Sequence, residues 1–154
     1  MLKKCLWVFL ISMVPIVELR GAIPVGAVME IPFWLNYILC VVGNFLPVPF
    51  ILLFIRKILD WMKNVKRLDK IALWLEAKAQ KHSEKVMKGV AMGLFLFVAI
   101  PLPGTGAWTG SLVAALFNMR LRYALPAIFL GVCCAGLIMT LGSYGVVGLF
   151  KIFA

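Results

Sequence analysis

The sequence predicts an all-α integral membrane protein. Its two units form an inverted repeat, each a re-entrant helical hairpin plus a transmembrane helix, joined by a cytoplasmic amphipathic helix. Three observations carry that prediction. The chain is too apolar for a soluble domain, two Pro/Gly-broken stretches recur in matching places, and a basic segment lies between them.

Of 154 residues, 64% are hydrophobic and 14% charged, with a mean hydropathy of +1.03. Soluble domains hold roughly 45–50% apolar and about 25% charged residues, so a membrane class follows. The runs 31–55, 89–119 and 123–150 contain no Asp, Glu, Lys or Arg. Each exceeds the ~20 residues a helix needs to cross a ~30 Å hydrocarbon core. The net charge of +10 is concentrated between Arg56 and Lys88, where ten Lys/Arg stand against four Asp/Glu. Basic excess on a loop between spans marks the cytoplasmic side. In so apolar a chain that charge is not expected to serve nucleic acid. Cys5, Cys40, Cys133 and Cys134 lie in apolar segments without metal-ligand spacing, and His82 is distant from them. No metal or cofactor is expected, and the cysteines read as small buried hydrophobes.

The start, MLKKCLWVFLISMV, has the basic-then-apolar form of a signal peptide. No A-x-A-type cleavage site follows, so it is expected to stay as a membrane segment. Its apolar part is too short to cross before Pro15. Then comes VPIVELRGAIPVG, Val14 to Gly26, which sets Glu18 and Arg20 in apolar surroundings between Pro15, Gly21, Pro24 and Gly26. Prolines and glycines interrupt helices, so a broken segment is expected there. Pro32 suits the first turn of the next helix. The first span covers 33–55, with Pro47 and Pro49 expected to kink it or end it early, and Arg56 and Lys57 anchoring its end. An apolar stripe at alternating threes and fours predicts a basic amphipathic helix over 64–88. The second half begins with an apolar helix over 89–100 that stops at Pro101. IPLPGTGAWTG, Ile100 to Gly110, breaks it with Pro101, Pro103, Gly104 and Gly106, and 108–117 turns helical again. Arg120 and Arg122 mark a boundary before the second span over 123–141, and 142–154 reads as a glycine-containing tail with a partial helix. The single membrane domain therefore divides into a first repeat (1–57), a linker helix (58–88), a second repeat (89–142) and a tail (143–154).

The two broken stretches lie about eighty-six residues apart, which pairs Pro15 with Pro101, Glu18 with Gly104, Arg20 with Gly106 and Pro24 with Gly110. A two-residue insertion later pairs Gly43 with Gly131. One span separates the starts of the two halves, so the second is inverted, as in many transporters whose broken helices meet near the midplane. Either each broken element is a re-entrant hairpin, or each crosses and the chain has four spans. The shortness of the segment before Pro15 favours hairpins. Non-helical backbone at that depth must be buried in protein or line a cavity. The two tips are thus expected to face each other, with a homodimer supplying enough protein to bury them.

Charged residues at membrane depth are rare and usually functional. Three readings stay open at this point. Glu18 carries a proton while Arg20 and the opposing tip hold an anion, with Gly104, Thr105, Gly106 and Thr109 offering backbone N–H groups and hydroxyls at a helix start. Alternatively, Glu18 binds a cationic amphiphile and Arg20 is structural. In the third reading the two charges pair, and the chain is a non-transporting scaffold. Nucleophile, base and orienter do not occur together, so an enzyme is not expected.

PIVELRGAIPVG followed by PLPGTGAWTG resembles the small multidrug export protein family of bacterial membrane proteins, along nearly the whole chain. That family is similar to the DedA (VTT, SNARE-associated) superfamily, although IPLPGTGAWTG lacks the arginines of the DedA second-half motif. The resemblance implies a multi-pass protein of the bacterial inner membrane with two facing re-entrant hairpins. It also implies transport of a lipid-linked phosphate of the undecaprenyl phosphate kind, or export of small drugs. Membrane lipids and such amphiphiles are then the expected partners, and Glu18 matches the acidic position of the superfamily's first hairpin.

Overall fold

The computed structural model describes residues 1–63, 84–102 and 104–153. Among the described residues seven helices follow one another: α1 (Leu2–Met13), α2 (Glu18–Val28), α3 (Phe33–Phe45), α4 (Pro47–Lys63), α5 (Glu84–Ala99), α6 (Ala107–Leu116) and α7 (Leu121–Phe153). Among the described residues there is no strand. Two stretches are long and apolar enough to cross a membrane, Phe33–Ile58 and Leu121–Leu149. The predicted linker helix lies largely outside the described residues, as do Pro103 and His82; its last residues form the opening of α5.

α1 has 12 residues, about 18 Å at 1.5 Å per residue, well short of a bilayer core. α2 packs beside it and runs back. The evidence is at the open end, where Lys4 Nζ near the start of α1 donates to the Met29 carbonyl after α2, at 3.0 Å. The turn between them is only 14–17. The broken stretch is thus shorter than its composition implies: Gly21, Pro24 and Gly26 all lie inside α2. A proline within a helix costs about 3 kcal/mol. Here tertiary packing overrides it, since Leu19, Ala22, Ile23 and Ala27 are buried. Asn36 of α3 fits against Gly26, where a Cβ would strike its amide, and donates to the Ile23 carbonyl at 2.9 Å.

The regular part of α3 ends at Phe45, as Pro47 and Pro49 predict, although Leu46 keeps helical dihedrals, its N–H bonds Val42 O at 2.9 Å, and α4 continues from Pro47 past Arg56 and Lys57. Proline is accepted there because the opening turn of α4 has no use for its missing N–H. Two boundaries depart from the sequence-based expectation: α5 already includes Glu84 to Lys88, so it runs unbroken across the junction expected at Gly89. The tail is not separate, because α7 runs through Gly142, Gly145 and Gly148 to Phe153.

The two halves make corresponding contacts. α1 packs on α3 and α5 on α7, and each through a glycine. A Cβ on Gly43 would sit 2.8 Å from the Phe9 carbonyl, and one on Gly131 3.0 Å from the Phe95 carbonyl. α2 and α6 cross over, α2 packing on α7 and α6 on α4. Both end in the same left-handed cap, Glu30 (φ 61°) and Asn118 (φ 49°). There Ile31 N–H bonds Gly26 O at 3.0 Å, and Met119 N–H bonds Ala114 O at 2.9 Å, the Schellman arrangement. Each cap is then held by the long helix of the other half: Tyr144 of α7 donates to Ile31 O, and Arg56 of α4 donates to Met119 O. These pairs place the two-residue shift between the halves before Gly26. At the later spacing of eighty-eight residues Glu18 pairs with Gly106 and Arg20 with Trp108, whereas the spacing of eighty-six pairs them with Gly104 and Gly106.

Candidate functional site where the hairpin tips meet

The turn at 14–17 and the segment 100–106 lie against each other. A helix leaves its first four N–H groups and last four carbonyls unpaired, with partial positive charge at the start and negative at the end. The second tip exposes both kinds at once, the end of α5 and the start of α6. No charged residue of its own is present there. The first tip supplies two.

Glu18, 4% exposed, turns its carboxylate to the start of α6, where Oε1 accepts the Trp108 backbone N–H at 3.1 Å. The N-cap position of α6 is Gly106, which has no side chain to cap with. A Cβ at Gly106 would collide with the Glu18 carboxylate, and its φ of 141° with ψ of −168° is a conformation essentially reserved for glycine. Glu18 is therefore an N-cap supplied from the other hairpin. Arg20 does the converse at the end of α5. Its guanidinium donates to Leu102 O, to Thr105 Oγ1 at 2.7 Å and to Ile100 O at 3.4 Å. The Thr105 hydroxyl lies 2.8 Å from Ile100 O and 2.9 Å from Leu102 O, and so braces the same carbonyls. Trp108 returns the contact, its Nε1 donating to Met13 O at the end of α1 at 3.2 Å. Each charge is bonded to the opposite tip and neither to the other charge.

A cavity of about 640 Å³ lies at this meeting. The first tip lines it with Pro15, Glu18, Arg20 and Gly21, the second with Pro101, Gly104, Thr105 and Thr109, and Met139 of α7 joins them. Such a volume suits a small ligand or a lipid headgroup. Gly106 is not on this wall. It is buried behind the Glu18 carboxylate, so the helix start expected to be open to a ligand anion already holds an internal one. Pro24 lies within α2, away from the wall. Around the mouth Ile16 is 94% exposed, with Ile100 and Leu102 also exposed.

Two residues that sequence reasoning passed over complete the site. Trp108 gives its backbone N–H to Glu18 Oε1 and its indole N–H to Met13 O. Asn44, 1% exposed on α3, lies close enough to act on the Glu18 carboxyl, yet neither Nδ2 nor Oδ1 has a partner. Its signal was a buried amide in an otherwise apolar span, a costly choice unless the amide is used.

Two apolar spans around a polar, helix-end site define an integral membrane protein. The chain belongs to the family described as "Putative small multi-drug export protein", whose model matches residues 18–138. The family's description is that of an export protein and names no enzyme activity. No curated protein and no solved structure matches the chain.

Proposed function

We propose that this exporter moves an anionic amphiphile, a lipid-linked phosphate in the first instance, through the cavity at the hairpin tips. The observation that carries the reading is the division of labour between the two charges. Both residues line the cavity, but Glu18 is 4% exposed with its carboxylate on the Trp108 N–H, while Arg20 is only half-buried, so the more accessible charge is positive. The exposed apolar rim suits the tail of such a molecule. In this reading Glu18 is a built-in surrogate for the substrate. Protonation discharges it, it leaves the α6 start, and a phosphate takes the freed N–H groups together with Arg20. Asn44 receives the neutral carboxyl, using its unpaired amide. Proton uptake and anion binding are thereby linked.

The paired contacts support an inverted repeat of two re-entrant hairpins. Lys4 beside Met29 returns the first hairpin to its starting side, and Lys88 beside Arg122 does the same for the second. The tip-to-tip hydrogen bonds form within one chain, and the exposed Ile16, Ile100 and Leu102 are the surface a second copy would cover. The basic run 56–88 sets the cytoplasmic side of a bacterial inner membrane. A second reading, export of cationic amphiphiles on Glu18, is favoured by the family description. It requires Glu18 to abandon α6 and face the cavity.

Flux into proteoliposomes distinguishes them, with a fluorescent polyprenyl phosphate or a cationic dye as cargo. Phosphate flux lost in Arg20→Ala, with dye indifferent, supports the proposal. Dye flux that needs Glu18, without phosphate flux, replaces it with the second reading.

A further inference from the structure

A second cavity, of about 440 Å³, lies outside the tip site, between residues 88–95 of α5 and residues 122–130 of α7. Its walls are Ala91, Phe95, Pro126 and Leu130, with Lys88 and Arg122 together at one end. The Arg122 guanidinium stands 4.9 Å over the Tyr123 ring, which fixes its direction. An apolar trough closed by two cations matches an acyl chain joined to an anionic headgroup. The trough lies at the end of the molecule that also carries Arg56, whose guanidinium donates to Met119 O. Anionic phospholipid is enriched in the leaflet that juxtamembrane basic residues face.

We propose that this trough is a structural binding site for one anionic phospholipid of the cytoplasmic leaflet, with its phosphate on Lys88 and Arg122. The lipid seats the start of the second hairpin against α7. It is not cargo, and the site shares no residue with the tip cavity.

The test is native mass spectrometry of the full chain released from bilayers of equal phosphatidylglycerol and phosphatidylcholine. Retained phosphatidylglycerol should exceed phosphatidylcholine on the order of tenfold, as two surface cations imply. That preference should vanish in the Lys88→Gln, Arg122→Gln double variant. Ala91→Phe, which keeps both cations and fills the trough, should lower retention of both lipids. Arg20→Ala should leave retention unchanged, which separates this site from the transport path. Equal retention of the two lipids, or an unaltered preference in the double variant, overturns the proposal. Displacement of the lipid by millimolar glycerol phosphate also overturns it, because the site would then read a phosphate alone.

Discussion

Gly106→Ala is the substitution whose cost the structure lets one work out. The methyl group meets two obstacles. The backbone at φ 141°, ψ −168° is closed to alanine, which costs about 1–3 kcal/mol. The new Cβ also displaces the Glu18 carboxylate, leaving a buried acceptor and the start of α6 unpaired, about 1–3 kcal/mol more. The single variant should therefore lose about 2–6 kcal/mol, by the same two terms. In a Glu18→Ala background the second term is already absent. Gly106→Ala should then cost only the backbone term, so a double-mutant cycle should show a coupling of about 1–3 kcal/mol. Equilibrium unfolding in mixed detergent micelles measures all four corners. Strict additivity, or a Gly106→Ala variant as stable as the parent, would refute the capping of α6 by Glu18.

Other consequences are as specific. Arg20→Lys keeps the charge but not the fork, so it cannot hold Leu102, Thr105 and Ile100 together; hydrogen exchange at 100–106 should rise while α7 stays protected. Gly131→Leu should cost at least ~1–3 kcal/mol by forcing α5 off α7 at the Phe95 carbonyl. Gly142→Ala in the same helix meets open space and should be neutral or stabilising by roughly 0.5–1 kcal/mol. In a cysteine-free background, Lys3→Cys and Glu30→Cys should label from the same face of the membrane and Asn118→Cys from the other. Labelling of Lys3→Cys and Glu30→Cys from opposite faces would convert the first hairpin into a crossing element.

The membrane class and the two spans were legible because apolar run length is a one-dimensional property. The relation between VPIVELRGAIPVG and IPLPGTGAWTG was legible too, as two breaks that needed one another. What the sequence concealed was how little of each stretch is broken. Pro24 and Gly21 look like helix breakers, but α2 is held by burial of Leu19 and Ile23 and by Asn36, and none of that is local. The matched caps at Ile31 and Met119 were not legible either, because they are set by backbone N–H groups that no motif spells out. The chemistry of Glu18 was the least visible. A carboxylate in apolar sequence reads as a proton carrier or a ligand, whereas its partner is the backbone N–H of Trp108, ninety residues away and silent in any motif.

The central claim, that Glu18 stands in for the substrate until it is protonated, rests most directly on one measurement. Lipid-phosphate flux into proteoliposomes should be followed against pH for the parent and for Glu18→Gln. The account predicts that flux through the parent rises as the medium is acidified. Glu18→Gln, neutral at every pH, should transport at the acid rate throughout, with a flat profile. A Glu18→Gln variant that folds but transports nothing, or one that keeps the parent's pH dependence, would contradict it.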